Sequence, residues 1–378
     1  MIEKIFFLFL SLIVFVYMGY PLSLYFLGLF IFRNRKIEKY YPCVTIIITA
    51  YNEENSIRNK IENTLEIEYP RGKLQIIIAS DGSTDRTNEI VADYREKGIL
   101  FLPIPRRGGK ENAQKEAIKF ADGDILVFSD VSTLLDPSGI LQIVSNFVDP
   151  TVGCVSSEDC VIGKDGIPSG EGFYVRYEMW LRRLESNIGS VVGLSGSFFA
   201  ARKSVCQDFS ESLDSDFRTL LNSVKMGMRG ISDPLAIGYY RDIANPSHEF
   251  ERKVRTVLRG ISVFFNNTEF LNVFKYGLFS YEYFCHKFLR WIVPLFLIIV
   301  FLSNIVLAFT SWIYFSILFF QILICIFIIA LQYGMLTSYP KLLYIPIYFI
   351  TVNVSIAIAW FRYIRKDRVT MWSPTKRF

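Results

Sequence analysis

Four short polar motifs in this sequence have the residue types that bind charged ligands. They occupy residues 49–53 (Thr-Ala-Tyr-Asn-Glu), 80–85 (Ser-Asp-Gly-Ser-Thr-Asp), 129–132 (Ser-Asp-Val-Ser) and 214–216 (Asp-Ser-Asp). In each of the first three, a run rich in β-branched residues ends in carboxylates and small polar side chains. This pattern is typical of the C-terminal edge of an open α/β sheet, where ligands bind. The sequence therefore predicts a charged ligand at a sheet edge.

The first two motifs are suited to a nucleotide. Tyr51 and Glu53 lie in a turn between a strand and a helix, which presents backbone N–H groups and polar side chains. The alternative is a helix N-terminus with acids in its first turn. Asp81 could accept a hydrogen bond from a base or a ribose, and Gly82 allows the tight turn. Because two such turns follow one another, we favour a ligand site over simple helix capping.

The third motif and a nearby basic loop are suited to a diphosphate. Asp130 ends a very apolar strand, and Mg²⁺ or Mn²⁺ binds one or two protein carboxylates together with substrate phosphates. Lys110 follows two arginines and two glycines at the start of a predicted helix, where it could meet a phosphate. The alternative for this second segment is an exposed basic loop.

The later motifs offer a base and a pair of cations. One aspartate of Asp214 and Asp216 can cap a helix, which leaves the other to act as a general base on a hydroxyl. Arg252 and Arg255 share one helix face and could bind a departing diphosphate. With glutamates close by, they could equally form an ordinary solvated face.

The elements that must position these motifs alternate between strands and helices. Residues 44–50, 74–80 and 125–129 are short Ile- and Val-rich runs and predict buried parallel strands. Strands that alternate with helices imply βαβ units and a doubly wound α/β sheet. Helices are predicted over residues 53–66, 84–96, 109–120, 173–186, 216–226 and 249–265.

Apolar segments flank this region. Residues 5–32 are long enough to cross a bilayer, and they are too long for the core of a signal peptide. The predicted order is a transmembrane anchor (1–33), a domain (40–267), an interfacial amphipathic helix (268–290), transmembrane helices (291–362) and a basic tail (363–378). Basic residues after the first segment place the domain in the cytoplasm. Three C-terminal crossings would put the basic tail outside, so charge bias and span count conflict.

The composition supports an integral membrane protein. The 378 residues are 51% hydrophobic and 16% aromatic, which is too apolar for a wholly soluble chain. The net charge is +5, and the basic residues cluster near the apolar segments. This distribution favours lipid headgroups over nucleic acid as a partner. Six cysteines without close pairing and two histidines make a zinc site improbable.

As a set, these motifs resemble the membrane-bound family 2 glycosyltransferases, which have a GT-A fold and include cellulose, hyaluronan and poly-N-acetylglucosamine synthases. The resemblance implies an α/β GT-A domain between transmembrane helices. It places Asp130 at the start of the Asp-x-Asp metal motif and Asp216 as the catalytic base. It assigns the nucleotide-sugar to Ala50, Tyr51, Glu53, Asp81, Lys110, Asp130, Arg252 and Arg255, and the acceptor to Ser195 and Gly196.

Two positions depart from the family pattern. Ser132 replaces the second aspartate of the metal motif, so Asp130 and the Ser132 hydroxyl or a water remain as ligands. Residues 252–256 (Arg-Lys-Val-Arg-Thr) fall where processive members carry Gln-x-x-Arg-Trp, which speaks against processive polymerisation. The tail motif at 370–377 also resembles a family signature.

The resemblance implies an inverting transfer, with Mg²⁺ or Mn²⁺, from a nucleotide-diphosphate sugar to a membrane glycan or lipid-linked acceptor. We expect UDP as the nucleotide of the donor. The expected process is the synthesis of a cell-surface polysaccharide or glycolipid, and polysaccharide-export or assembly subunits are the expected protein partners. One alternative is a single-addition transferase acting on a polyprenyl phosphate or lipid. Another is a non-catalytic membrane subunit that binds a nucleotide-sugar.

Overall fold

The strands in the described part of the chain form one eight-stranded mixed sheet. The structure is a computed structural model that describes residues 1–31, 37–162, 172–207, 215–241, 246–332 and 344–367. Asp214, the basic residues at 33, 35 and 36, and the tail motif at 370–377 lie outside the described residues. The strands are β1 (Val44–Ala50), β2 (Leu74–Asp81), β3 (Ile99–Ile104), β4 (Ile125–Asp130), β5 (Thr133–Leu135), β6 (Val152–Ile162), β7 (Phe198–Arg202) and β8 (Arg229–Arg241).

The sheet has a parallel half and a mixed half. Its order is β3-β2-β1-β4-β7-β6-β8-β5. The pairs β1–β2, β1–β4 and β2–β3 are parallel, so the predicted parallel strands are confirmed. Strand β7 is antiparallel to β4 and β6, and β5 is antiparallel to β8, while β6 and β8 run parallel. Because β1 and β4 are adjacent and parallel, their motifs meet at one edge.

The helices cover both faces of the sheet and continue into the apolar segments. The domain helices are close to their predicted positions. In chain order the helices are α1 (Ile2–Val14), α2 (Tyr20–Phe30), α3 (Ile57–Leu65), α4 (Thr87–Ala92), α5 (Lys110–Ile118), α6 (Gly139–Ser145), α7 (Gly172–Ile188), α8 (Ser215–Lys225), α9 (Pro246–Phe265), α10 (Val273–Tyr276), α11 (Leu278–Tyr283), α12 (Arg290–Leu307), α13 (Trp312–Gln332) and α14 (Tyr344–Ile364).

Strand β1 is buried on both faces, which explains why five of its seven residues are apolar. Ile47 packs in one hydrophobic cluster with Ala113 of α5. Its neighbours Ile46 and Ile48 point the other way and pack with Ile57 of α3. Alternate side chains of a strand face opposite sides of the sheet, so two helical layers need apolar residues at every position.

Three helical stretches are long and apolar enough to cross a membrane, judged by length and composition over the described residues. They are Ile2–Phe30, Leu278–Leu307 and Ile345–Ile364. The first stretch joins α1 to α2 through a π-helical turn (Phe15–Gly19), and the third lies within α14. Leu278–Leu307 joins α11 to α12 through a second π-helical turn (Phe284–Leu289). The boundary predicted at residues 290–291 therefore falls inside one continuous helix. Helices α1 and α12 pack through a shared apolar cluster.

Candidate active site

A cavity of about 350 Å³ opens beside the C-terminal ends of β1 and β4. Most of the site residues predicted from the sequence line it, although they come from six separate parts of the chain. The predicted residues on its wall are Glu53, Lys110, Asp130, Ser132, Ser195, Gly196, Asp216, Arg252 and Arg255. The fold therefore brings together the residues that the motifs singled out.

An ion pair joins the end of β4 to the start of α5. Lys110 Nζ lies 2.5 Å from Asp130 Oδ1 and donates a second hydrogen bond to the carbonyl of Gly196 at 2.8 Å. Burial opposes the charge of Lys110, but the Asp130 carboxylate and its hydrogen bond raise the pKa of Lys110 above its usual value. A protonated lysine thus links the predicted metal ligand to the turn at Gly196.

Beneath this ion pair lies a buried lysine that the sequence analysis did not single out. Lys60 of α3 has no exposed surface, and its Nζ donates to Ser129 Oγ at 2.7 Å and to the Thr133 carbonyl at 2.5 Å. Burial lowers the pKa of Lys60 to about 7, against the opposing charge of Asp130. A sequence signal exists, because Lys60 falls one turn after Ile57 on the apolar face of α3.

The cavity lining also includes Asp216, in the first turn of α8. A Cβ atom placed on Gly196 would lie 3.1 Å from Asp216 Oδ2, so the carboxylate closely approaches this turn. Ser195 Oγ donates to Asp159 Oδ1 at 2.6 Å, and Ser197 Oγ donates to the same atom at 3.0 Å. Asp159 also lines the cavity and was not predicted. It fixes the turn against which Asp216 is placed.

A lysine from the long apolar helix also approaches this turn. A Cβ atom placed on Gly193 would lie 3.0 Å from Lys287 Nζ. The same Nζ lies 4.9 Å from the ring centroid of Phe217, the residue that follows Asp216. Through its π-helical turn, the helix Leu278–Leu307 therefore approaches Gly193 and Phe217, which are next in sequence to residues that line the cavity.

Three predicted nucleotide residues lie outside the cavity lining. Ala50 is fully buried in β1. The guanidinium carbon of Arg107 lies 3.7 Å from the ring centroid of Tyr51, a stacked cation–π arrangement. Asp81 is 1% exposed and accepts hydrogen bonds from the backbone N–H groups of Gly108 at 2.8 Å and Gly109 at 2.7 Å. Asp81 thus holds the loop that leads into α5.

The first two motifs are tied to each other. The Asn52 side-chain oxygen accepts from the Thr84 N–H at 2.8 Å, and Asn52 itself has a positive φ of 51°. The Glu53 N–H donates to Thr87 Oγ1 at 2.8 Å, and the Glu54 N–H donates to Asp85 at 3.1 Å. These bonds make the adjacent turns one unit at the sheet edge.

Helix α9 provides the basic wall. Arg252, Arg255 and Arg259 all line the cavity, and Arg259 forms a buried ion pair with Glu111. Thr256, at the position of the tryptophan in the processive motif, also lines it. Residues three, four and seven apart share a helix face, which accounts for this arrangement.

The residues present are compatible with a divalent cation. The Asp130 side chain is 24% exposed towards the cavity, and Ser132 is on the same wall. Among the described residues, no group of three or more His, Cys, Asp or Glu side chains could hold a metal ion. A cation here would therefore depend on Asp130 and on oxygens of a bound diphosphate, the way in which Mg²⁺ is usually held beside phosphates.

Comparisons with known proteins agree with this architecture. The family model "Glycosyl transferase family 2" matches residues 45–209. Poly-beta-1,6-N-acetyl-D-glucosamine synthase of Staphylococcus aureus (strain MSSA476) is 29% identical over 204 residues, which is 51% of this chain and 48% of that protein. The Staphylococcus epidermidis synthase is 28% identical over 170 residues, 44% and 40% of the two chains. The chain thus spans about half the length of these curated relatives.

A solved structure extends the likeness beyond the domain. A mannosyltransferase from Pyrobaculum calidifontis, in complex with GDP-Man and Mn²⁺, matches with a TM-score of 0.73 and 21% identity. The match covers 97% of this chain and 100% of that one. Residues 45–209 are therefore similar in sequence to family 2 glycosyltransferases. The expected GT-A fold with flanking long apolar helices is confirmed.

Proposed function

We propose that this protein is an inverting glycosyltransferase of the membrane surface. It moves a sugar from a nucleotide-diphosphate sugar, with UDP as the first choice, to a lipid-linked or glycan acceptor in cell-surface polysaccharide or glycolipid synthesis. The domain is cytoplasmic, and the apolar helices anchor it as a multi-pass membrane protein. The observation that carries the proposal is one cavity lined by Asp130, Lys110, Asp216 and the arginines of α9.

The proposed reaction uses the two acids differently. Asp216 removes the proton from an acceptor hydroxyl, whose oxygen forms a bond to the anomeric carbon as the bond from that carbon to the diphosphate breaks. Attack from the opposite face inverts the anomeric centre, and the nucleoside diphosphate leaves with the electron pair. Arg252 and Arg255 offset its developing negative charge.

A divalent cation fits beside Asp130. The Pyrobaculum protein was solved in complex with GDP-Man and Mn²⁺. In this chain Asp130 and Ser132 would hold the cation, which supplies positive charge to the diphosphate. Lys110 adds a fixed cation on the same side of the cavity and orients Asp130.

Single addition is the product pattern we favour. Thr256 is too small to offer the flat surface on which an acceptor sugar could stack, and it lines the cavity where the processive motif has tryptophan. Product sizing separates the two outcomes: one sugar per acceptor supports single addition, whereas a ladder of products contradicts it.

The test of the activity is transfer of label from a panel of UDP- and GDP-sugars to lipid-extractable and polymeric products. Asp216→Asn should lower the turnover by roughly 10²–10⁴-fold, with donor binding retained. Asp93→Asn is the matched control, because Asp93 is an exposed carboxylate outside the cavity lining. Undiminished turnover in Asp216→Asn would exclude the assigned base. Donor binding without transfer by the wild type would support a non-catalytic subunit.

A further inference from the structure

An apolar groove lies between the N-terminal helical stretch, α7 and α14. Its cavity volume is about 590 Å³, within the range of ligand pockets. We call it the tyrosine groove, after the aromatic residues on its walls: Tyr17, Tyr174, Tyr177, Tyr348 and Phe349. The other lining residues are aliphatic or methionine.

The walls of the groove are fixed by contacts among these rings. Tyr174 and Tyr348 have ring centroids 4.8 Å apart, and those of Tyr17 and Phe349 are 5.2 Å apart. The Tyr177 hydroxyl donates to the Tyr17 carbonyl at 3.0 Å. Two of the three walls belong to the candidate spans Ile2–Phe30 and Ile345–Ile364. A preformed apolar groove between such helices suits a hydrocarbon chain.

The groove and the catalytic cavity have separate lining residues, but two helices connect them. On α7, Tyr174 lies in the groove and Arg182 lines the cavity. Eight residues of helix separate them, which is about 12 Å along the axis. On α9, Lys253 Nζ lies 4.4 Å from the Tyr348 ring centroid, while the adjacent Arg252 lines the cavity. A molecule in the groove therefore has its polar end close to the catalytic residues.

A lysine lies over one ring of the groove. Lys253 Nζ is 4.4 Å from the Tyr348 ring centroid. The Arg290 guanidinium lies 5.6 Å from the Tyr17 ring centroid and 5.7 Å from that of Tyr174, but the Glu178 carboxylate at 2.6 Å offsets its charge. An apolar trough beside the Lys253 ammonium is complementary to a chain that carries an anionic head.

We infer that the tyrosine groove binds the hydrocarbon chain of a single-chain lipid phosphate that carries the acceptor sugar. This inference rests on the proposed function for the identity of the bound lipid as the acceptor. The phosphate lies at Lys253, and the distance of about 12 Å to the level of Arg182 leaves room for a phosphate and a sugar. A sugar hydroxyl then reaches the cavity that contains Asp216.

Photo-crosslinking tests the groove without requiring turnover. The full chain, purified in detergent, is irradiated with a diazirine-bearing farnesyl phosphate, and the labelled peptides are mapped by mass spectrometry. We expect label on the peptides of Tyr17, Tyr174 and Tyr348, with competition by farnesyl phosphate and none by phosphatidylcholine. Label spread evenly over the lipid-facing helices, or equal competition by phosphatidylcholine, would overturn the inference.

Substitutions in α14 give a matched pair. Val352 lines the groove, whereas Val354 on the same helix is 44% exposed and does not. Val352→Trp should fill the groove and reduce the label by about tenfold, the equivalent of 1.4 kcal/mol of binding. Val354→Trp should leave the label unchanged. Val14→Trp narrows the opposite wall and provides a second variant if Val352→Trp is poorly folded. Equal labelling in all three variants would contradict the assignment.

The two proposals can fail separately. Retained binding of labelled UDP shows that the donor site is intact in each variant. Specific labelling of the groove without any sugar transfer would contradict the proposed function and still support a lipid-phosphate site. Sugar transfer with identical kcat/KM in Val352→Trp and Val354→Trp would contradict the role of the groove as the acceptor site and still support the proposed transferase activity.

Discussion

The buried amine of Lys60 makes the stability of this protein depend on pH. The lysine has no exposed surface, and burial brings its pKa from 10.5 to about 7. Between these two values the unfolded chain binds a proton that the folded chain does not. Folding stability therefore rises with pH over this range, by about 1.4 kcal/mol for each pH unit and on the order of 5 kcal/mol in all. Below pH 7 the full cost of charging the buried amine is present.

The perturbation is Lys60→Met, which keeps an unbranched chain of similar length and removes the titration. The variant loses the hydrogen bonds to Ser129 and Thr133, a cost that does not change with pH. We therefore expect the free energy of unfolding of the variant minus that of the wild type to fall between pH 8 and pH 10 by roughly 2–3 kcal/mol. Lys115→Met, at an exposed lysine of α5, should show no such trend.

The assay is the modification of buried thiols by an iodoacetamide probe in detergent. Cys154 and Cys206 are 0% and 4% exposed, so each reacts after the domain opens, whereas Cys43 and Cys325 are exposed and react at once. Comparison of variant and wild type at the same pH cancels the intrinsic pH dependence of the thiols. A difference that stays constant within about 0.5 kcal/mol from pH 8 to pH 10 would refute the reasoning, because Lys60 would then be protonated in the folded protein.

Three further predictions concern the cavity. Gly196→Ala places a Cβ atom 3.1 Å from Asp216 Oδ2, so kcat should fall about tenfold or more while the melting temperature changes little; unchanged kcat would argue against a close placement of the base. Asp81→Asn replaces one of two acceptor oxygens with an N–H group that faces the backbone N–H of Gly108 or Gly109. The free energy of unfolding, measured by thermal unfolding, should fall by roughly 1–3 kcal/mol, and the nucleotide-sugar should bind more weakly. Chelation with EDTA should abolish transfer, and Mn²⁺ or Mg²⁺ should restore it; full activity in the chelator would remove the cation from the proposal.

Three of the four strands in the parallel half, β1, β2 and β4, could be predicted because each is a short run rich in Ile and Val, whereas β3 was not predicted. The sequence of β1 is apolar at nearly every position, as expected for a strand covered on both faces. The mixed half lacks such a signal. Strand β8 contains Ser232, Asp233 and Pro234, and its register with β6 shifts along its length. Pairing with β5 and β6 stabilises it, and these partners are distant in sequence.

Site residues that directly follow a strand could be predicted from the sequence. Site residues that are positioned by tertiary contacts were harder to predict. Asp130 and Lys110 follow from the motifs, since strand ends and helix starts are readable from the sequence. Asp159 enters the cavity only because β6 lies next to β7, and its bonds to the serine turn are long-range. The bonds of Asp81 to Gly108 and Gly109 likewise join segments that no local pattern connects.

One continuous helix, Leu278–Leu307, approaches the turn at Gly193, beside the cavity, through Lys287 and is also long enough to pass through a bilayer. Under the proposed placement, the thickness of the surrounding bilayer sets the inclination of this helix. A change of inclination would shift the Lys287 amine relative to the Gly193 turn. The rate of sugar transfer would then vary with the acyl-chain length of the host lipid, so that membrane composition regulates the enzyme without any soluble effector.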